Sequence, residues 1–276
     1  MVGLTTANLS VLPADAPVRI DETAEGTLVY VPSGCRASLV EKYESLRADA
    51  YGTQAKIRIT LEAGAKLNHY KLVHEGQLAD HQSFLEVEVR RSASFRSDVF
   101  LFEGARIRHT LHARLSGEDA ECILNGLYVG SGTQRIETHT LIEHQKPRGM
   151  SREFYKGILN GRSEGLFDGL IIVQKEAQKT DSVQTNRNLL LSLGAKANSN
   201  PELKIYANDV KCKHGSTIGQ IDADHLFYLR SRGIPIAEAK RVLVYGFASE
   251  MIEQVDVPEL RRILFPCLNL ATSIKK

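Results

Sequence analysis

The stretch from Arg106 to Leu115 alternates strictly between two series of side chains, and it constrains the fold more than any other feature. One series is apolar apart from His109, and the other contains arginine, threonine and histidine. A period of two over this length predicts a strand with one buried face. Shorter runs of this kind extend from about residue 54 to about residue 218, separated by Gly, Asn, Ser and Asp. Because helical patterns are scarce there, alternating strands and helices are disfavoured, which leaves a sandwich, a barrel or a solenoid.

A short repeat favours the solenoid among these folds. The tetrapeptide Ile-Leu-Asn-Gly occurs at Ile123–Gly126 and again at Ile158–Gly161. The coils of a solenoid would place the same turn at the same corner of successive rungs. Four residues also recur by chance, so the patterns alone leave sandwich and solenoid as open alternatives.

The two ends of the chain differ from the strand-rich middle. Residues 1–50 are weakly patterned and contain three prolines, and the helical spacing in SLVEKYESLRAD predicts one short helix there. We therefore expect an N-terminal segment of uncertain structure at residues 1–50, a β-rich core at residues 51–220 and a helical region at residues 221–276.

Three helices are predicted in the C-terminal region. Asp222 or Asp224 can cap a helix through HLFYLRSR, which a glycine ends. Pro235 suits the first turn of a second helix that reaches roughly Gln254, and Pro258 starts a third, shorter one.

Composition bounds the location and the partners of the protein. The net charge of +2 over 276 residues argues against nucleic-acid binding, which needs a clustered basic face. No apolar run approaches the roughly 20 residues that cross a bilayer, and the first residues do not resemble a secretory signal. The cysteines form no CxxC pair and indicate reduced thiols: Cys35, Cys122, Cys212 and Cys267. We expect a soluble cytoplasmic protein without nucleic-acid or membrane partners.

Motifs of common enzyme classes are missing from the sequence. There is no GxxxxGK[ST] loop, no GxGxxG turn, no GxSxG elbow and no HExxH pair. A polysaccharide-acting enzyme on a solenoid is a further hypothesis, but a chain with no Trp and 7% aromatic residues supplies few sugar-stacking side chains. The missing motifs disfavour an NTPase, a dehydrogenase, a serine hydrolase and a zincin.

Two histidine pairs lie at odd spacings on predicted strands. His109 and His112 are three residues apart, and His139 and His144 are five apart. Odd spacing on a strand places side chains on opposite faces, so neither pair can share a metal ion. We interpret these four as polar surface or corner histidines.

The segment from Gly165 to Ser192 is rich in amides between apolar runs. In a solenoid, amides on successive coils can stack and satisfy one another's hydrogen bonds. This predicts a structural role for the following residues: Gln174, Gln178, Gln184, Asn186 and Asn188.

Cys212 and His214 are the candidate ligands. They are two residues apart in DVKCKHGSTIG, so strand spacing puts both side chains on one face. Thiolate and imidazole are ligands that iron and zinc accept, and a partner would have to supply the remaining ligands. From the spacing alone, a buried cysteine beside a hydrogen-bonded histidine is the favoured alternative.

Several longer motifs occur in an order that resembles the SufB/SufD family of iron–sulfur cluster assembly proteins. The resemblance covers roughly residues 55–265. The motifs are YKGIL at Tyr155–Leu159, F-x-G-x-I at Phe167–Ile171, AQKTDSVQTNRNLLLS at Ala177–Ser192, PELKIYANDVKCKHGSTIGQID at Pro201–Asp222, LFYLRSRGI at Leu226–Ile234 and GFASE at Gly246–Glu250.

The resemblance implies a right-handed parallel β-helix followed by a helical C-terminal region. It implies pairing with a SufB-like subunit through the β-helix and binding of a SufC-like ATPase through the C-terminal helices. It also implies a transient iron–sulfur cluster shared with SufB, sulfur supplied by a cysteine desulfurase, and transfer of the cluster to apo-proteins. The isolated chain could form a homodimer in place of the heterodimer.

The segment around His214 resembles the SufD branch of the family. The SufB pattern has H-E-A-T-T preceded by Glu, with a cysteine nine residues before the histidine. Here the histidine is preceded by Lys213 and followed by Gly215, and Ile205 stands at the cysteine position. The resemblance implies that His214 faces the SufB cysteine across the interface, with Cys212 as a supporting thiol. In this context we predict a functional His214.

The resemblance also implies an ATPase-binding surface on the C-terminal helices. The residues predicted for it are Leu226, Tyr228, Arg230, Phe247 and Glu250. The leading hypothesis is thus a non-catalytic scaffold subunit, and the alternative is a structural adaptor for an ATPase without a cluster site. Family members usually carry a sizeable helical region before the β-helix, whereas only about 50 residues precede the first clear strand here.

Overall fold

The computed structural model describes residues 8–13, 16–45 and 47–268. These residues form two eight-stranded sheets and three helices. The strands are β1 (Asn8–Leu12), β2 (Arg19–Thr23), β3 (Gly26–Val31), β4 (Arg36–Glu44), β5 (Tyr51–Leu61), β6 (Lys66–His74), β7 (Ala79–Val89), β8 (Ser94–Glu103), β9 (Arg106–Leu115), β10 (Glu121–Gly130), β11 (Arg135–His144), β12 (Met150–Leu159), β13 (Glu164–Val173), β14 (Asp181–Leu190), β15 (Lys196–Ile205) and β16 (Lys211–Gln220). The helices are α1 (Ala223–Ser231), α2 (Ile236–Glu253) and α3 (Pro258–Cys267).

The strands wind into a parallel β-solenoid with two faces. One sheet, here sheet A, has the order β1-β4-β6-β8-β10-β12-β14-β16, and sheet B has the order β15-β13-β11-β9-β7-β5-β3-β2. The chain passes from one sheet to the other at almost every turn, and side-chain contacts between neighbouring coils typically join residues 28 to 31 apart. The predicted β-helix followed by a helical region is confirmed.

The interior, or lumen, is filled by the inward series of each strand. The in-register column Val29, Ile59, Val87, Ala113, Ile142 and Ile171 crosses six coils of sheet B, and all six side chains are buried. Burying one such side chain contributes about 1.5–3 kcal/mol, so the alternation read from the sequence is the main source of stability. The tetrapeptide repeat does not mark the same corner of successive coils. Ile123 of β10 lies in register with Arg152 of β12. Ile158, the first residue of the second copy, lies on β12 six residues after Arg152, so the two copies do not occupy equivalent positions.

The first coil of the solenoid is covered by the segment that precedes β3. β1 pairs antiparallel with β4, and β2 pairs antiparallel with β3. Apolar residues of this segment, including Val11, Val18 and Ile20, pack against the luminal core. The parallel strands therefore begin earlier than the alternation from residue 54 indicates, since β3 and β4 already pair parallel with β5 and β6.

The prediction of a short helix in SLVEKYESLRAD is wrong. Most of this stretch belongs to β4, whose inward residues Leu39, Glu41 and Tyr43 are buried. The Glu41 carboxylate is bound by Lys71 and by His69, whose Nε2 lies 2.9 Å away. Pairing with β6 and burial of this network outweigh the modest helix preference of the sequence.

The three helices lie where the caps and prolines predict them. The Asp222 carboxylate accepts hydrogen bonds from the backbone N–H groups of Asp224 and His225, at 2.8 and 3.0 Å, and caps α1. Helices α2 and α3 pack on the outer face of sheet A through residues such as Val244 and Leu264. Within the described ranges, no helix is long and apolar enough to cross a membrane.

Candidate functional site

The last coil of the solenoid is open. β15 and β16 each pair on one side, with β13 and β14, and within the described residues their other edges are free. The strands before them bury alternate residues, whereas β16 has none that is buried. An exposed edge of this kind carries unpaired backbone N–H and C=O groups that another strand can use.

Cys212 and His214 lie in β16 and share a face, as their spacing predicts. In the register with β14, Cys212 is opposite Ser182 and His214 is opposite Gln184. Ser182 and Gln184 are both fully buried in the lumen. The two candidate ligands therefore continue luminal columns to the open end, where Cys212 is half-buried and His214 is exposed.

The Cys212 thiol is not activated by its surroundings. Partial burial raises its pKa, and the carboxylate of Asp181 adds to the increase, while a backbone hydrogen bond from Ser182 opposes it. Thiolate is the form that binds metals, so iron at this thiol would have to displace its proton. In the part of the chain that the structure describes, no three His, Cys, Asp or Glu side chains are grouped to hold a metal. The face thus offers an incomplete ligand set.

Two rows of polar side chains run through the lumen towards these residues. In the first, His144 Nε2 lies 2.9 Å from Ser151 Oγ, which lies 2.7 Å from Ser182 Oγ, one coil before Cys212. Burial lowers the pKa of His144 to about 4, so its ring is neutral near pH 7.

The second row leads to His214. Gln184 Nε2 donates to Glu153 Oε2 at 2.7 Å. Burial raises the pKa of Glu153 to about 7, and its hydrogen bonds offset only part of that increase. Burying polar groups in the lumen costs free energy of folding. Apolar packing therefore does not explain why these polar groups line up below the open coil.

The predicted partner-binding residues fall into two groups. Leu226, Tyr228 and Arg230 lie on α1, which has no buried residue, and Tyr228 is 55% exposed. Phe247 and Glu250 lie on α2 and contact the solenoid instead. Together they bind Lys156 of β12, whose Nζ donates to the Phe247 carbonyl oxygen at 2.8 Å and to Glu250 Oε2 at 2.7 Å.

A groove of about 320 Å³ separates the end of β16 from α2. Its apolar lining includes Leu189, Ile218, Leu243 and Phe247. The groove has the end of β16 on one side and α2 on the other, so the edge strand that carries Cys212 and His214 adjoins the helical region.

A family model described as the SUF system FeS cluster assembly SufBD core domain matches residues 18–247. The chain belongs to this family. The match covers β2 to β16, α1 and most of α2, so the SufBD core assignment includes both the open coil and the start of the helical region.

Relatives of known name agree with the SufBD assignment. The chain is 38% identical to the iron–sulfur cluster assembly protein SufD of Escherichia coli over 220 residues, which cover 80% of this chain and 52% of that protein. It is 31% identical to an iron–sulfur cluster assembly SufBD family protein of Synechocystis over 255 residues, which cover 89% of this chain and 56% of that protein. SufD of Bacillus subtilis matches at 31% identity over 136 residues, 49% of this chain and 31% of that protein. The chain spans about half the length of the first two relatives.

The histidine predictions for this SufBD chain are partly confirmed. His109 and His112 do face opposite sides of β9, and His139 and His144 differ in the same way. The surface interpretation is wrong for His109 and His144, which are fully buried. The alternation contains the signal for His109, because it falls in the apolar series.

The amides do not form the expected ladder along successive coils. Asn186 and Asn188 lie on one strand and bond each other at 2.6 Å, and Asn188 Oδ1 accepts from the Tyr128 hydroxyl at 2.5 Å. Gln184 bonds a carboxyl group instead of another amide. Tyr128, Glu153 and Lys156 form buried polar contacts that the sequence patterns missed, since each lies within an apparently ordinary strand.

Proposed function

We propose that this SufBD chain is a non-catalytic scaffold subunit for iron–sulfur cluster assembly. It would pair with a SufB-like subunit through the open coil and carry a SufC-like ATPase on its C-terminal helices. The observation that supports this most is the placement of Cys212 and His214 together on the exposed edge strand, as an incomplete set of ligands.

The chemistry of the edge suits a shared cluster. An exposed imidazole and a half-buried thiol offer two ligands that iron accepts, and a partner strand at the same edge would bring the others. The nascent cluster is the cargo of this site. Because burial raises the pKa of the Cys212 thiol, that thiol must lose a proton before it can bind iron.

The free edge of β16 suits a partner subunit. A strand added there would satisfy its unpaired backbone groups and extend sheet A across the interface. In the isolated chain, a second copy can occupy the same edge, which gives a homodimer in place of the heterodimer. A cysteine desulfurase and apo-proteins would act as transient partners of the assembled complex.

The direct test is His214→Ala in the reconstituted complex with its SufB and SufC partners. We expect cluster assembly, followed by anaerobic iron and sulfide content, to be lost while the circular dichroism and melting temperature stay unchanged. His139→Ala is the matched control, because that partly exposed ring lies on the outer face of sheet B, 3.3 Å from Asp168. Normal assembly with His214→Ala would reject the ligand role.

A structural adaptor for the ATPase, without a cluster site, is the second candidate. The exposed aromatic residues of α1 favour it, since Phe227 is 73% exposed and Tyr228 lies beside it. Under this reading His214→Ala has no effect on assembly, whereas changes on α1 abolish ATPase binding.

A further inference from the structure

Gln184 occupies a defined place between Glu153 and His214. The three residues are in register on β12, β14 and β16, so they form one column that ends at the open coil. Gln184 is fully buried, and its Nε2 donates to Glu153 on the preceding coil. Its Oε1 is buried and has no hydrogen-bond partner among the described residues.

A buried amide oxygen without a donor is costly, by about 1–3 kcal/mol. An amide that donates to one neighbour of a stacked column presents its carbonyl oxygen towards the other neighbour. The neighbour of Gln184 on that side is His214. Within the described ranges, the His214 ring likewise forms no hydrogen bond or ion pair.

The opposite wall of the lumen leaves space for this amide. A Cβ atom at Gly169 would lie 2.4 Å from Gln184 Nε2, so any larger residue would displace the amide. Gly169 belongs to the F-x-G-x-I run of β13, and its φ is not in the left-handed region, so the space alone requires glycine there. A side chain at position 169 would therefore press on this amide and on the Phe167 ring, whose Cζ would lie 2.7 Å from the same Cβ atom.

We infer that Gln184 is a positioning residue for His214: when the exposed His214 ring turns towards the lumen, Gln184 Oε1 accepts a hydrogen bond from one ring nitrogen and leaves the other ring nitrogen free for iron. The role of the free ring nitrogen as an iron ligand rests on the proposed function. The hydrogen bond between Gln184 and His214 does not depend on that function. Histidines that bind metals commonly donate their second N–H to a carbonyl or carboxylate, and loss of that partner lowers metal affinity 10- to 100-fold.

The test compares Gln184→Met with Gln184→Glu in the full chain. Methionine keeps the volume and removes the acceptor, whereas glutamate keeps an acceptor. The readout is the tautomer of His214 in the iron-free protein, from ¹⁵N NMR of the imidazole, with the signals assigned by their loss in His214→Ala. We expect one dominant tautomer in the unchanged chain, a mixture in Gln184→Met, and a single tautomer again in Gln184→Glu.

Gln174→Met is the matched control. Gln174 Nε2 also donates to a carboxylate, Glu143 Oε1 at 2.7 Å, but it lies outside the column of His214. This control should leave the His214 tautomer unchanged. If Gln184→Met unfolds, Gly169→Ala displaces the same amide from the facing sheet and should give the same tautomer mixture. An unchanged tautomer in every folded variant of Gln184 and Gly169 would overturn the inference.

The consequence for assembly is measured separately. In the reconstituted complex, Gln184→Met should lower the rate of cluster formation 10- to 100-fold, and Gln184→Glu should restore it. If His214→Ala leaves assembly intact, the proposed function fails while the tautomer measurement still decides the role of Gln184. If His214→Ala stops assembly and the His214 tautomer is the same in the Gln184 variants as in the unchanged chain, the proposed function stands and this inference fails.

Discussion

Nζ of Lys156 in β12 lies 2.7 Å from Oε2 of Glu250 in α2, so a lysine that is buried on the strand holds the helix against sheet A. The same ammonium group donates to the carbonyl oxygen of Phe247 and lies 5.0 Å from the centres of the Phe154 and Phe247 rings. Lys156 is thus a polar anchor of α2 within an apolar contact, and Arg96 of β8 adds a second hydrogen bond, to Gln254 Oε1 at 2.8 Å.

Lys156→Met should therefore loosen α2. Removing a buried ammonium group that serves two acceptors is expected to destabilise the helix contact by about 1.5–3 kcal/mol. Hydrogen exchange of the α2 amides should become faster while the amides of β10 and β12 stay protected. Glu250→Gln is the control and should cost less than about 1 kcal/mol, because Glu250 is largely exposed and the bond to Phe247 remains. Equal losses of stability in Lys156→Met and Glu250→Gln would argue against Lys156 as an anchor of α2.

Glu153→Gln should change the pH dependence of stability. Burial raises the pKa of Glu153 from its ordinary value of 4.5 to about 7, so between these values the native protein holds a proton that the unfolded chain has lost. Stability contributed by this group therefore falls as the pH rises through that window and stays low above it. Denaturant unfolding should show Glu153→Gln to be more stable than the unchanged chain at pH 8, by up to about 3 kcal/mol, and nearly equal to it at pH 4.5.

Glu164→Gln serves as the control for this pH series. Glu164 is partly exposed at the start of β13 and lies 3.4 Å from Lys196. Its replacement should have a small effect that is similar at both pH values. A gain for Glu153→Gln that does not depend on pH would contradict a proton held by this buried carboxyl.

Thiol labelling should separate the four cysteines by position. Cys122 is fully buried in the lumen, and burial raises its pKa; burial also raises the pKa of Cys267, to about 11. At pH 8, iodoacetamide should therefore label Cys35 and Cys212 in the native chain and the other two only after unfolding. Addition of a SufB partner should protect Cys212 but not Cys35, as measured by peptide mass spectrometry. Continued labelling of Cys212 in the complex would place the interface elsewhere.

Tyr228→Ser should weaken binding of the ATPase without affecting the fold. Tyr228 is exposed on a helix that buries none of its residues, so its loss removes contact area for a partner and little else. Leu78→Ser is a control, because Leu78 is also an exposed apolar residue but lies in the turn before β7. Titration calorimetry with SufC should show lower affinity for Tyr228→Ser alone. Equal affinity for both variants would remove α1 from the predicted surface.

The sequence allows most of the strands and all three helices to be predicted, because both depend on local signals. Alternation marks the inward series, and Asp222, Pro235 and Pro258 mark the helix starts. Glu41 misleads because a buried charged residue interrupts the apolar series, and its partner Lys71 lies on the next coil of sheet A.

The candidate site could be predicted only in part. The spacing of Cys212 and His214 places them on one face, and the order of the motifs indicates the family. Their luminal neighbours could not be found, because turns of unequal length vary the number of residues per coil, and a column such as Glu153, Gln184 and His214 appears only when the register is known.

The two ends of the solenoid differ in strand direction. Short antiparallel strands border the first coil, whereas the last coil ends in β15 and β16, which run parallel to β13 and β14. A partner strand that pairs with β16 in the direction of β14 would continue the parallel ladder of sheet A, whereas a strand in the opposite direction would change the spacing of the hydrogen bonds. The direction of the added strand therefore decides the hydrogen-bond pattern at any seam formed on the last coil.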